Sequence, residues 1–214
     1  MSLALDRSMR LPAAPIGDAE RALRVDLAAA YRLAARQGWD DLIYTHITAR
    51  VPGEADSFLI NPFGWRFDEI TASSLVKIDL AGRIYGDTPA EVNAIGFHIH
   101  ATVHAARPDA HCVMHLHNVN GIAVSAQRDG LLPISQHAMR FYGQIGYHDY
   151  EGLTLTGAEG GRMLESLAGH PALFLRNHGT LVCGRTVAEA YVLMDTLDKA
   201  CAIQVKAQAG GSPL

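Results

Sequence analysis

The chain has 214 residues, 49% apolar and 19% charged, which suits one globular domain with ample core and excludes general disorder. A net charge of −4 without a basic block argues against nucleic acid or an anionic membrane surface as partner, and no segment is apolar over the length needed to span a bilayer. Cys112, Cys183 and Cys201 lack paired spacing and sit in apolar contexts, as buried thiols of a reducing compartment do; Met1 to Arg10 has no signal-peptide stretch, so the chain is expected to be cytoplasmic.

Residues 1–17, with Pro12, Pro15 and Gly17, read as a flexible arm, 18–208 as one domain and 209–214 as a loose end. Asp18 is placed to cap a helix from Ala19 to Gln37, which Gly38 ends; Leu23, Leu27, Ala30 and Ala34 give it an apolar stripe. Ile43 to Val51 alternates like a strand, with His46, Thr48 and Arg50 sharing one face. Phe58 to Asn61 is a second strand before the turn Pro62-Phe63-Gly64. A short helix is expected at Thr71–Ser74, then strands at Val76–Asp79 and Ile84–Tyr85. Asn93 to Ala106 reads as a helix stopped by Arg107-Pro108-Asp109. A short helix over Gly121–Arg128 and strands at Leu131–Ile134 and Gln144–Tyr147 follow. Thr156 to Leu167 is helical by pattern, and Thr186 is placed to cap a final helix through Ala207. Mixed strands and helices without strict βα alternation predict an α/β or α+β sandwich.

The most telling residues are histidines, of which there are 11. His115 and His117 end a buried strand, Val113-Met114-His115-Leu116-His117. Side chains alternate along a strand, so the two share one face while Cys112, Met114 and Leu116 fill the core face. A second apolar run, Leu173 to Leu175, leads as another strand to Asn177-His178-Gly179. Buried imidazoles need partners for their nitrogens; a hydrogen bond is one solution and a metal another. Three neutral imidazoles around an open position is the arrangement of a catalytic metal site. His100 and His104 lie four apart on a helix without a metalloprotease glutamate, and read as a polar helix face or interface packing. His111, His148 and His170 read as solvated turn residues.

Thr45-His46-Ile47-Thr48-Ala49-Arg50, Ile60-Asn61-Pro62-Phe63-Gly64, Arg107-Pro108-Asp109-Ala110, His115-Leu116-His117 and Asn177-His178-Gly179 occur in this order, a series that resembles the class II aldolase/adducin family over about residues 20–208. The adducin-like branch is the better match, through Gly130-Leu131-Leu132-Pro133-Ile134-Ser135, Tyr147-His148-Asp149-Tyr150 and Cys201-Ala202-Ile203-Gln204-Val205. The resemblance implies a three-layer α/β/α sandwich, a homotetramer with sites between subunits, and one divalent metal per subunit on His115, His117 and His178: zinc first, manganese or iron as alternatives. Non-enzymatic members also exist.

The departures narrow the chemistry. Sugar-phosphate aldolases resembling this chain carry Ser-Ser-Glu where it has Ala94, Ile95 and Gly96; their phosphate-binding asparagine and threonine match His46 and Phe63. A phosphate needs several donors, so a phosphorylated sugar is a poor substrate here. The acid/base glutamate is also missing, Glu91 is too far along to replace it, and Gly96→Glu is expected to restore some activity. By loose alignment His137 matches a catalytic tyrosine, with Tyr142 as the alternative and a substrate contact. His46 is the other catalytic candidate, and Asn61 and Gly64 are expected to line the pocket. Arg50 and Arg176 are explained equally well by structural ion pairs.

The reading is a metal-dependent lyase that breaks a C–C bond of a small non-phosphorylated hydroxy or oxo acid, by decarboxylation or retro-aldol cleavage, through a metal-stabilised enolate. A non-catalytic adducin-like assembly module is the alternative. An iron(II) oxygenase ranks third, because the usual carboxylate ligand is not evident.

Overall fold

The computed structural model describes Leu5 and residues 10–13, 15–152 and 157–211. Strand β1 is Arg10–Leu11, and helix α1 is Asp18–Gln37. Helix α1 starts one residue earlier than expected: Gly17 is its cap residue and Asp18 lies in its first turn, where a carboxylate favours the helix dipole. Gly38 ends it in the left-handed region at φ 69°, and its N–H returns to Ala34 and Ala35 carbonyls. Strands β2 (His46–Arg50), β3 (Ser57–Ile60), β4 (Val76–Asp79) and β5 (Ile84–Tyr85) form an antiparallel run. Helix α2 (Ala94–Ala106) precedes β6 (Cys112–Leu116). Short helices α3 (Val119–Ser125) and α4 (Gln136–Met139), strand β7 (Ile145–His148) and helix α5 (Gly157–Leu167) come next. The hairpin β8 (Ala172–Leu175) and β9 (Gly179–Gly184) leads to α6 (Val187–Ala209), capped by Thr186 as predicted.

The nine strands form one sheet in the order β1-β5-β4-β3-β2-β6-β9-β8-β7, antiparallel except for the pairs at its two edges. Period-2 alternation divides the strand side chains between the two faces of the sheet. Ile47, Leu59, Met114, Phe174 and Val182 pack with Leu27 and Tyr31 of α1 and Leu193 and Leu197 of α6. Val113, Leu173 and Leu181 pack on the other face with Val103 of α2 and Met163 and Leu167 of α5. Helices cover both faces, giving the α/β/α sandwich. No helix among the described residues is long and apolar enough to cross a membrane.

Three local expectations change, and a fourth falls partly outside the described residues. The N-terminal arm is tied down in part: β1 pairs with β5, and the Leu5 N–H donates to the Val92 carbonyl. Thr71–Ser74 is a turn, because the Thr71 and Ser74 hydroxyls accept each other's backbone N–H and compete with helix formation. Leu131–Ile134 is not a strand: the Leu131 N–H goes to the Tyr147 hydroxyl and the Leu132 N–H to Gln204 Oε1, leaving no ladder to build. Residue 156 of the predicted α5 start lies outside the described residues, and α5 is seen from Gly157.

The Tyr31 hydroxyl joins α1 to the sheet. It accepts from the N–H groups of Ile47 at 2.8 Å and Asn61 at 3.2 Å, and donates toward the Ile47 carbonyl and Asn61 Oδ1. The ring is fully buried, edge-on to Phe67. Tyr31→Phe should lower stability by about 1–3 kcal/mol, since buried backbone donors lose their acceptor. A urea midpoint equal to wild type would show that the hydroxyl contributes nothing.

Candidate metal centre

Strand β6 places the first imidazole. Its alternation sends Cys112, Met114 and Leu116 into the α1/α6 core and turns His115 toward α2. His117 follows one residue beyond the strand. His178 does not end a strand, as expected from sequence, but closes the three-residue turn between β8 and β9. In that turn Asn177 holds a left-handed φ of 58°, which asparagine tolerates better than most residues. Gly179 then passes so close to β6 that a Cβ there would stand 2.5 Å from the Leu116 carbonyl oxygen. The His-Gly pair is thus steric: only glycine lets the turn bring His178 against its two partners.

The three rings converge. Their centroids lie 5.1 Å (His115–His117), 4.8 Å (His115–His178) and 4.9 Å (His117–His178) apart, and one ligand atom from each falls within 4.8 Å of the others. The hydrogen bonds fix which atoms are free. His115 Nδ1 lies 3.1 Å from the Thr180 carbonyl, which only accepts, so Nδ1 carries the proton and Nε2 is bare. His117 Nδ1 donates to the Asp41 carboxylate at 2.9 Å, leaving a buried Nε2 with no partner. A carboxylate behind a histidine is how proteins orient and strengthen a metal-binding imidazole. Burial and the neighbouring rings push the His115 imidazole well below its ordinary range and His178 down to about 4, so both are neutral at pH 7. Three converging imidazoles, one with a buried nitrogen that has no partner, are a donor set that fits zinc or another borderline divalent cation.

A cavity of about 390 Å³ opens over the triad, walled by Tyr44, His46, Asn93, Gly96, Ile99, Tyr150 and Asn177 among others; among the described residues no lysine or arginine lines it. His46 sits across from His115 in the β2–β6 register, buried, with both nitrogens unpartnered. Its pKa falls to about 3, through burial first and then repulsion from His117. Its ring occupies the space that any side chain at position 96 would need: a Cβ on Gly96 would stand 2.3 Å from His46 Cε1 and Nδ1. Gly96→Glu therefore cannot restore a glutamate while His46 keeps its place. The α2 N-terminus offers few donors for an anion, because the Asn93 side chain already accepts from Ile95 N–H and Gly96 N–H.

Other expected site residues lie elsewhere. Asn61 is buried against Tyr31, on the α1 side of the sheet, and Gly64 holds a turn at φ 84°; neither lines the cavity. His137 on α4 and Tyr142 just after it are exposed and outside this chain's cavity. His148 is buried beside Ser166 rather than solvated, because it ends β7 under α5. His100 and His104 are not an exposed face: both are buried and bonded to the Thr48 hydroxyl at 2.7 and 2.8 Å. Arg176 caps the carbonyls that end α3, bonding Ser125 O and Gln127 O, and Arg50 bonds the carbonyls of Ala55 and His104. Sequence reading missed Asp41, Tyr44 and Tyr150; only the Asp40-Asp41 pair ahead of a strand marked the first.

Five imidazoles, of His46, His100, His104, His115 and His178, are held neutral with pKa values below the ordinary 6.5, chiefly by burial. The unfolded chain protonates them first, so stability is full above pH 6.5 and falls as pH drops from there toward about 4 for His178 and about 3 for His46 and His104. Each adds up to ~1.4 kcal/mol per pH unit to the slope within that window. Urea midpoints at pH 7.5 and 5.0 should differ strongly; equal midpoints would mean these rings are not buried neutral.

Comparison with known proteins bears on the family. A protein of Caulobacter vibrioides that carries a class 2 aldolase name is 55% identical over 192 residues, 90% of this chain and 75% of its own. Rat alpha-adducin is 48% identical over 197 residues, covering 90% of this chain but 27% of the adducin. The crystal structure of an aldolase II superfamily protein from Pseudomonas syringae superposes with a TM-score of 0.89 at 50% identity, over 92% of this chain and 80% of that one. An L-fuculose 1-phosphate aldolase from Glaciozyma antarctica gives 0.84 at 31% identity, over 94% of this chain and 79% of that one. The model of the Class II Aldolase and Adducin N-terminal domain matches residues 25–205. On its fold, its three convergent histidines and this match, the chain belongs to the class II aldolase and adducin family.

Proposed function

We propose that the protein is a metal-dependent lyase acting on a small, non-phosphorylated hydroxy or oxo acid, by decarboxylation or retro-aldol cleavage. The observation that carries this reading is a three-histidine cluster at the floor of a cavity that, among the described residues, no lysine or arginine lines. His115, His117 and His178 would hold the metal, zinc first and manganese or iron as alternatives. Bound there, a divalent cation supplies Lewis acidity that stabilises negative charge developing on a substrate oxygen. Asp41 keeps His117 Nε2 directed at the ion. His46 contacts the substrate from across the cavity. His137 and Tyr142 join the site only through a neighbouring copy, in the homotetramer that membership of the family suggests.

The cavity disfavours sugar phosphates. Phe63, Ala94 and Ile95 bring no side-chain donor, the first α2 amides are taken by Asn93, and among the described residues no lysine or arginine lines the cavity; Arg176 lines the adjoining pocket that shares Tyr150 and His178 with it, and its guanidinium is bonded to the Ser125 and Gln127 carbonyls. The second reading, an adducin-like assembly module, draws on the 48% identity to alpha-adducin. An iron(II) oxygenase is third: Asp41, the carboxylate beside the triad, bonds His117 Nδ1 and is not in the ligand cluster.

Elemental analysis separates the first two readings. Purified protein should hold one divalent metal per subunit, and His178→Ala should lose most of it; a full complement in that variant would remove the triad from consideration. Asp41→Asn should weaken zinc binding about 10–100-fold in a competition titration with a chromophoric chelator, and unchanged affinity would mean that Asp41 does not support the site. The metal-loaded protein should release carbon dioxide from, or cleave, a member of a panel of aromatic, keto and hydroxy acids. It should not turn over fuculose 1-phosphate or ribulose 5-phosphate at ordinary rates of about 1 s⁻¹. Turnover of either would overturn the assignment of substrate class.

A further inference from the structure

Beneath the cavity, between α2 and β2, a chain of hydrogen bonds links three buried side chains. His104 Nδ1 lies 3.1 Å from the Ala110 carbonyl. A carbonyl only accepts, so Nδ1 carries the proton and the neutral ring has a bare Nε2. That Nε2 lies 2.8 Å from Thr48 Oγ1 and must receive the hydroxyl proton. With its one proton committed, Oγ1 can only accept from His100 Nδ1 at 2.7 Å. His100 is therefore protonated on Nδ1, and its fully buried Nε2 offers a lone pair without a partner. The nearest unmatched ring is His46, edge-on with centroids 6.1 Å apart, also without a partner on either nitrogen. A neutral imidazole has one N–H to place and one lone pair. The needs of the two rings are complementary.

We infer that His100 is a positioning residue for His46: the Ala110–His104–Thr48–His100 chain fixes His100 Nε2 as a buried acceptor beside the His46 ring, His46 turns its single N–H toward that side, and its other nitrogen is left as a lone pair at the cavity wall. The backbone of α2 at Gly96 packs against the His46 ring, so the ring does not swing freely. The chain is not a proton path to the second cavity, beside Arg50 and His111, that His104 borders. Its last N–H ends on a carbonyl, which cannot pass a proton on.

The tautomer selects ligand chemistry, and this step rests on the proposed metal-dependent reading. A lone pair accepts from a hydroxyl and has nothing to offer a carbonyl oxygen or a second anion. Of the hydroxy and oxo acids considered above, His46 so held favours hydroxy acids.

Long-range 1H–15N spectra of the zinc-loaded protein at pH 7 test the tautomers. His100 and His104 should be protonated on Nδ1 and His46 on a single nitrogen. Thr48→Val should release the His100 tautomer and shift the His46 resonances, and Thr48→Ser should restore the wild-type pattern. A wild-type His100 protonated on Nε2 overturns the inference even if Thr48→Val does not fold, and so does an unmoved His46 in a folded Thr48→Val. Titration with lactate and pyruvate tests the ligand step. Lactate should bind about tenfold tighter and shift the bare His46 nitrogen. Lactate binding without that shift overturns the role of His46. Failure of both acids to bind, with the predicted tautomers present, overturns the proposed substrate class and leaves the positioning chain standing.

Discussion

The constraint on which the site depends is that an imidazole buried in this protein must place two unlike nitrogens, one donor and one acceptor, in a region with little water. Three histidines between β2, β6 and α2 meet that demand in whole or in part with an adjacent group. His115 uses the Thr180 carbonyl, His117 the Asp41 carboxylate, and His104 the Ala110 carbonyl and Thr48. Of the buried imidazole nitrogens left without a hydrogen bond among the described residues, all but His148 Nε2 lie together. His117 Nε2, both His46 nitrogens and His100 Nε2 belong to residues grouped around the metal cavity or directly beneath it. A core without function would more cheaply fill this volume with leucine. The unmet polarity is concentrated where a cation and a substrate would satisfy it.

Part of this was legible in the sequence, and the physics explains which part. Period-2 alternation assigned Cys112, Met114 and Leu116 to one side and His115 to the other, because a strand of five residues allows no other division. The triad followed from motif resemblance, but the role of its third member was misread: the strand ends at Leu175, and a turn delivers His178. Helical spacing correctly put His100 and His104 on one face, yet spacing does not reveal which face is buried. The answer came from the sheet, where Thr48 supplies the bond both rings need. Asp41 pairs with His117 across 76 residues of sequence, a contact that no local pattern encodes. Asn61 was placed in the pocket by its motif, whereas the side chain is committed to Tyr31 on the opposite side of the sheet.

The departure from the sugar-phosphate aldolase pattern also changes meaning. On the sequence alone, Gly96 is a missing glutamate. In the structure it is a seat: the absent side chain leaves the volume that the His46 ring fills. Positions 46 and 96 come from β2 and α2 and meet only through the fold, so the two departures form one coupled change. A carboxylate from the helix and an imidazole from the strand cannot share this space.

That exchange alters what the cavity can recognise. A carboxylate at this point would add negative charge, while a neutral imidazole adds one donor and one acceptor whose order depends on its surroundings. With Tyr44, Tyr150 and Asn177 as further polar walls and, among the described residues, no lysine or arginine, the cavity has little means of neutralising a dianion and several means of bonding hydroxyl and carboxyl oxygens. On the proposed reading, the charge a substrate brings would then be met by a cation on the triad. Three histidines placed as these are would thus serve a different substrate, because the neighbouring positions 46 and 96 decide what the open side of the triad faces.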